Sequence, residues 1–193
     1  MHAAKLSVIL LLVGLLAACG FKLRGSAELP GYKLPFATIA LSLPPTSELH
    51  AQLKRTIEAS SPGTRVVDAK EAEAIMTVLS DTSQKVILSL SGAGRAREYQ
   101  LLRSFTFKVH ANIAAATPAE QIKYTDAPAS PAAIEYIAPS TLVIRRDITF
   151  SDDLVLSKES EEALLRRDMQ GDLVQQLMRR LAAAKLQPAK AAE

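Results

Sequence analysis

The sequence predicts an α+β domain in which two helices pack on a four-stranded, mainly antiparallel sheet, in the order β-α-β-β-β-α. Several segments alternate apolar and polar residues, which is the period of a half-buried strand. Two other segments repeat apolar residues at every fourth position, which is the period of a helix. The 193 residues are 48% hydrophobic and 22% charged, so the chain is long and apolar enough to bury one core.

The first strand and the first helix are predicted between residues 36 and 60. Residues 36–43 alternate apolar with smaller or polar side chains, and two prolines end the strand. Ser47 caps the following helix, which the run Ser60-Ser-Pro-Gly63 ends. The apolar stripe of this helix consists of Leu49, Leu53 and Ile57.

A long β-hairpin is predicted next. Residues 74–90 form either a long strand with a bend or bulge near residues 80–83 or two shorter strands, and residues 99–113 alternate clearly as the partner. Two glycines between the strands supply the backbone freedom of the turn. Arg95 and Arg97 lie at the tip of this hairpin.

The C-terminal third contains one more strand and the second helix. Residues 114–140 hold four prolines among many alanines, which predicts an irregular loop, and residues 141–150 alternate as a strand. From Ser157 the period becomes helical, with glutamates in the first turns and basic residues in the last ones, as the helix dipole favours. The apolar stripe of this helix consists of Leu165, Met169, Leu173, Leu177 and Leu181.

The N-terminus has the form of an export signal. A positive start precedes an apolar stretch over residues 6–16, which is shorter than the roughly 20 residues of a membrane-spanning helix. The segment Leu-Ala-Ala-Cys19 follows and resembles the lipobox of bacterial lipoproteins. In such a motif the thiol accepts a diacylglyceryl group, and cleavage exposes an amine for a further acyl chain.

This arrangement predicts the organisation of the chain. We expect a lipoprotein signal peptide over residues 1–18, a lipidated N-terminus and tether over 19–35, one domain over 36–187 and a disordered tail over 188–193. Several acyl chains on Cys19 hold a protein durably on a membrane. Gly20 stands where an aspartate resembles the signal for inner-membrane retention, so the outer membrane is favoured.

Charge and cysteine content exclude several classes of function. The 23 basic and 20 acidic residues leave a net charge of +3, without a basic block of the kind that binds nucleic acid. Because Cys19 is the one cysteine, an internal disulfide and a multi-cysteine metal site are excluded. Lipidation would consume its thiol, which excludes a cysteine nucleophile and a redox cysteine. His50 and His110 have no neighbours at metal-ligand or triad spacing. We therefore expect no enzyme, no metal and no cofactor other than the covalent lipid.

Basic residues in ordered segments remain as candidates for ligand binding. Arginine matches phosphate or carboxylate oxygens with two hydrogen bonds, and lysine acts as a point charge. Ordinary solvated charge is the alternative, since Glu98 and Asp147 lie near in sequence. The candidates are Arg95, Arg97, Arg103, Arg145, Arg146 and Lys158.

Several segments together resemble the LptE family of lipopolysaccharide-assembly lipoproteins. They are the start Cys19-Gly-Phe-Lys-Leu-Arg-Gly, the strand that begins Glu98-Tyr-Gln, and the run Leu-Ser-Lys158-Glu that leads into the last helix. The resemblance covers essentially the whole mature chain. It implies two helices on a four-stranded sheet, a plug in the lumen of the β-barrel LptD in a 1:1 complex, binding of lipopolysaccharide, and a part in correct assembly of LptD.

The resemblance also implies a ligand site. Family members place basic residues at the hairpin tip and at the start of the last helix, and Lys158 matches the second position directly. Arg95 and Arg97 are the basic residues nearest the tip position. Two other functions stay open at this point: an adaptor of another envelope lipid-transport complex, and a cell-wall hydrolase, which needs paired carboxylates or a Ser/His set in one cleft.

Overall fold

A computed structural model describes residues 32–112, 134–149 and 155–188, and in these ranges the chain forms two helices and six strands. The elements are β1 (Thr38–Ser42), α1 (Glu48–Ser60), β2 (Arg65–Val66), β3 (Ala74–Leu90), β4 (Ala96–Ala111), β5 (Ile134–Thr149), α2 (Val155–Ala182) and β6 (Gln187–Pro188). The predicted α+β class is confirmed. The predicted signal peptide, the lipidated cysteine and the predicted tether as far as residue 31 lie outside the described residues. Residues 32–35, which the prediction also placed in the tether, are described, and Leu34 is buried in the core.

The strands form one mixed sheet in the order β2-β1-β3-β4-β5-β6. β1 is parallel to β2 and β3, and the other neighbouring strands are antiparallel. The predicted count of four strands is too low, because β2 and β6 are two-residue strands that complete the two edges. Two residues are too few to show a strand period, so the sequence pattern could not reveal them.

β3 of the β3–β4 hairpin is one long bulged strand, but its bulges are not at the predicted residues 80–83, which pair with β4 in regular register. The pairing shifts between Val78 and Ser80 and again between Ile87 and Leu90, so the irregularities lie on either side of the polar stretch. On β4, buried residues Leu101, Phe105, Phe107, Val109 and Ala111 share the face that meets the helices.

The predicted loop over residues 114–140 is wrong at its C-terminal end, because β5 begins at Ile134. Pro139 lies inside this strand. The pairing with β4 shifts between Ser140 and Ile137, so a bulge accommodates the proline. The predicted tail is also too long by one residue, since Pro188 pairs with Ile134. Pairing with β4 overrides the loop that the prolines suggested at residues 134–140.

Helix α1 has the predicted cap, face and end. The Ser47 Oγ accepts a hydrogen bond of 3.1 Å from the backbone N–H of His50, and the three stripe residues are buried. The N–H of Ser61 donates to the carbonyl of Ile57 at 2.8 Å at the other end.

Helix α2 covers the same face of the sheet. It begins two residues before the predicted start, so the glutamates stand one turn inside the helix. Its C-terminal end leads into β6, which pairs with the beginning of β5. The buried face consists of Met169, Leu173, Val174, Leu177, Met178 and Leu181. No helix in the described ranges is long and apolar enough to cross a membrane.

An ion-pair network ties the N-terminal half of α2 to β3. Lys85 Nζ lies 2.6 Å from a Glu162 carboxylate oxygen, and Arg166 donates to the same carboxylate at 2.7 Å. Lys85 also stands 4.4 Å from the centre of the Tyr99 ring. The hydrogen bond from Lys85 lowers the pKa of Glu162; burial opposes this shift and Arg166 adds to it.

Replacing Leu173 with alanine is expected to destabilise the domain by about 2–5 kcal/mol, because the substitution empties a fully buried position. Chemical denaturation measures the change. Leu164→Ala on the same helix is the matched control, since Leu164 is 59% exposed and should change stability by less than about 0.5 kcal/mol. Equal effects of the two substitutions would contradict the assigned buried face.

Replacing Glu162 with glutamine should reduce stability at neutral pH and have less effect in acid. A carboxyl group with a lowered native pKa stabilises the fold above its ordinary pKa, and this contribution is lost as the pH falls through the native value. Denaturation of both proteins near pH 7 and about pH 3 tests the prediction. A gap of equal size at both pH values would refute it, and the exposed Glu58→Gln on α1 serves as control.

Candidate functional site

The hairpin tip carries two of the predicted site residues on a fixed turn. The Ser91 N–H donates to the carbonyl of Arg95 at 2.7 Å, and the Gly94 N–H donates to the carbonyl of Ser91 at 2.9 Å. Gly94 has a φ of 76°, which a residue with a Cβ adopts only under strain. Arg95 and Arg97 are both exposed just after this turn. The predicted glycine turn is confirmed.

Lys158 lies in the first turns of α2 and already has an acidic neighbour. Its Nζ is 2.7 Å from a Glu161 carboxylate oxygen, and its side chain is 16% exposed. Ion pairs at a protein surface contribute about 0–1 kcal/mol. A ligand phosphate that offers a better charge-assisted hydrogen bond can therefore replace Glu161 as the partner of Lys158.

The structure places the three basic residues on the hairpin-tip side of one contact between sheet and helix. Leu101 of β4 pairs with Lys85 of β3, and Lys85 forms an ion pair with Glu162 of α2. The position of Leu101 along β4 therefore corresponds to that of Glu162 along the helix. Arg97 precedes Leu101 by four strand residues, or about 13 Å. Lys158 precedes Glu162 by four helix residues, or about 6 Å. Arg95, Arg97 and Lys158 thus all lie on the tip side of the Lys85–Glu162 pair.

The other basic candidates are placed differently. Arg103 donates two hydrogen bonds to Asp81, at 3.0 and 2.8 Å, and Arg146 forms an ion pair with Asp172 of α2. Both arginines share the helix-covered side with Leu101 and Ile144 and bind acidic groups of this chain. They stabilise the arrangement of sheet and helix.

Two acidic residues that the sequence suggested as charge partners have polar partners instead. Glu98 accepts a hydrogen bond of 2.9 Å from the Ser89 hydroxyl. Asp147 accepts one of 2.9 Å from Gln100. Both contacts join neighbouring strands, so these carboxylates strengthen the sheet.

Sequence reasoning missed Lys85. The bulges of β3 interrupt its period, so the face on which Lys85 lies cannot be read from the alternation. The sequence shows only a lysine beside the apolar run that begins at Val86.

The described ranges give little support for histidine chemistry or metal binding. His110 contacts the Thr77 hydroxyl at 3.3 Å, and the backbone of His50 takes part in the cap of α1. Residues 32–112, 134–149 and 155–188 contain no group of three His, Cys, Asp or Glu side chains that could hold a metal ion. Cys19, the predicted lipidation site, lies outside these ranges.

Comparison with solved structures finds the same fold in bacterial lipoproteins. The solution NMR structure of an uncharacterized lipoprotein B from Nitrosomonas europaea is 30% identical, with a TM-score of 0.61, and the match covers 85% of this chain and 91% of that one. A minor lipoprotein from Acinetobacter baumannii is 22% identical, with a TM-score of 0.57 and coverage of 81% and 98%. A rare lipoprotein B from Shewanella oneidensis is 21% identical, with a TM-score of 0.56 and coverage of 76% and 94%.

Comparison with protein families gives the assignment. A search of curated proteins finds no match. The model of the family described as LptE, lipopolysaccharide-assembly, matches residues 36–181, which include α1, the five strands β1 to β5 and all but the last residue of α2. This chain therefore belongs to the LptE family and takes part in lipopolysaccharide assembly without being an enzyme.

Proposed function

We propose that this protein is an outer-membrane lipoprotein, anchored through lipidated Cys19, that fills the lumen of the β-barrel LptD in a 1:1 complex. It binds lipopolysaccharide at the hairpin-tip end of its sheet and is needed for correct assembly of the barrel. The observation that carries the proposal is the placement of Arg95, Arg97 and Lys158 at one end of a domain that matches the LptE family.

The two faces of the sheet support a position inside a barrel. Both helices lie on one face, and the opposite face carries polar cross-strand pairs, such as the hydroxyls of Thr106 and Thr141 at 2.9 Å. Gln100 and Asp147 form another pair on this face. The interior of an outer-membrane barrel is polar, so these polar pairs fit it without burying unmatched charge.

The hairpin-tip end suits an amphiphile that carries phosphate groups. Arginine and lysine bind phosphate oxygens through charge-assisted hydrogen bonds. Close to these residues, apolar side chains of β3 are 45–58% exposed, and they can contact acyl chains. These side chains are Val86, Ile87, Leu88 and Leu90. Lipopolysaccharide offers both kinds of group.

A pull-down from detergent-solubilised membranes tests the partner. The affinity-tagged full-length protein should recover one large β-barrel in about equal molar amount, because a plug occupies its barrel one to one. An unrelated outer-membrane lipoprotein with the same tag is the control. Recovery of a different envelope lipid-transport complex would support an adaptor instead, and absence of the barrel would refute the plug.

Charge reversal at Lys158 tests the ligand site. Lys158→Asp should weaken binding of purified lipopolysaccharide about tenfold or more, since it removes a charge-assisted hydrogen bond and adds repulsion. An aspartate near a helix N-terminus is favourable, so the melting temperature should stay close to that of the wild type. Lys54→Asp on the exposed side of α1 is the matched control. Unchanged binding by the Lys158 variant would remove this residue from the site.

A further inference from the structure

One edge of β3 has no neighbouring strand among the described residues over most of its length. β1 pairs with β3 only from Ala74 to Thr77, whereas β4 pairs along the whole strand. From Val78 to Leu90, no described strand lies on the side of β3 away from β4. Every second residue of this stretch points its N–H and C=O toward the open side.

The open edge keeps a regular strand geometry. Its pairing with β4 runs without a register shift from Ser80 to Ile87, a length of about 26 Å. Side chains on both faces of this stretch are exposed. Proteins block unwanted pairing with prolines, bulges or repeated charges, and this stretch contains no proline. Its one lysine, Lys85, is held by Glu162.

A cleft of about 440 Å³ opens where β1 ends and the open edge begins. Leu43 follows β1, Val78 and Asp81 belong to β3, and Arg103 and Gln170 come from β4 and α2. The cleft therefore lies on the helix-covered side of the edge. When a peptide extends a sheet, backbone hydrogen bonds supply affinity and a pocket for an alternate side chain supplies specificity. The open edge and the cleft together provide both.

The geometry limits what can occupy this edge. A second copy of the chain, paired antiparallel about the middle of Ser80–Ile87, would bring its own hairpin tip beside Ala74–Thr77, where β1 already lies. A strand in the wall of a closed barrel has both edges paired and offers no free backbone. An extended segment outside the barrel wall has neither restriction.

The cleft also limits the chemistry of the segment. Glu48 and Asp81 contribute two negative charges to its lining and Arg103 contributes one positive charge. An acidic side chain would meet a net negative site, so a neutral or basic side chain is favoured. Exposed Leu79 borders the regular stretch at one end, exposed Val86 lies within it near the other end, and both favour apolar neighbours there.

We infer that the open edge of β3, from Ser80 to Ile87, binds an extended segment of the barrel partner by strand addition. The segment lies outside the barrel wall and places a neutral or basic side chain in the cleft beside β1. This inference depends on the proposed barrel partnership, and it adds the surface and the mode of contact.

Site-specific photo-cross-linking in the membrane-bound complex tests the inference. A benzophenone amino acid replaces Thr82 or Gln84 in the full-length chain, and mass spectrometry identifies the cross-linked peptide. Both positions should capture the same loop or terminal segment of the barrel, at sites about two residues apart, because paired strands advance together. Thr106 in the central strand β4 is the matched control and should not capture that segment.

Proline substitution tests backbone pairing separately from proximity. Thr82→Pro and Ser83→Pro are compared, because one of these neighbouring residues points its N–H at β4 and the other points it outward. The variant that keeps the wild-type melting temperature is the one whose N–H points outward. It should lower the cross-linking yield from Gln84 about fivefold or more, through one lost hydrogen bond and a steric clash. An unchanged yield in that folded variant would overturn strand addition.

The remaining outcomes separate the inference from the proposed function. Recovery of the barrel without cross-links from Thr82 and Gln84 overturns strand addition and leaves the plug intact. Cross-links to wall strands, to a second copy or within the chain also overturn it. If the wild-type chain recovers no barrel, both proposals fail. If neither proline variant folds, the cross-linking pattern alone decides.

Discussion

Burial of the apolar stripe of α2 on the central strands is the interaction on which the rest of the structure depends. Leu173 and Leu177 of α2 are fully buried in one core with Phe105 and Phe107 of β4. This burial places the helix along the sheet, with its first turns toward the hairpin tip. The ion pair of Lys85 with Glu162 can form only because the core has set this alignment. The same alignment puts the basic residues at one end.

Packing of both helices on one face makes the domain asymmetric. The covered face holds the core, whereas the other face keeps polar pairs such as Gln100 with Asp147. The ends differ as well. β1 and α1 support β3 at one end, and beyond Thr77 the strand continues without a neighbour on its outer side among the described residues. The domain therefore has a stable core end and an exposed end, to which we assign the proposed amphiphilic ligand and the proposed partner segment.

Prediction from sequence succeeded where a period extends over many residues. The cap and stripe of α1 and the stripe of α2 are as predicted, because burial selects apolar residues at every fourth position. It failed at residues 134–140, where four prolines in the neighbourhood suggested a loop. Pairing with β4 stabilises this strand, and a bulge near Pro139 absorbs the residue that cannot donate a hydrogen bond. The two-residue edge strands gave no signal of their own.

The sequence by itself determined both helices, the strongly alternating strands, the predicted lipobox and the family, because each is written in a local pattern of residues close together in the chain. Tertiary structure alone decided which charges meet. Arg103 and Arg146 are bound by Asp81 and Asp172, and Lys85 joins Glu162 across 77 positions of sequence. The open edge of β3 is likewise invisible in sequence, because a missing neighbour is a property of strand order. Register and strand order depend on how distant segments bury a common core, and no local period records that.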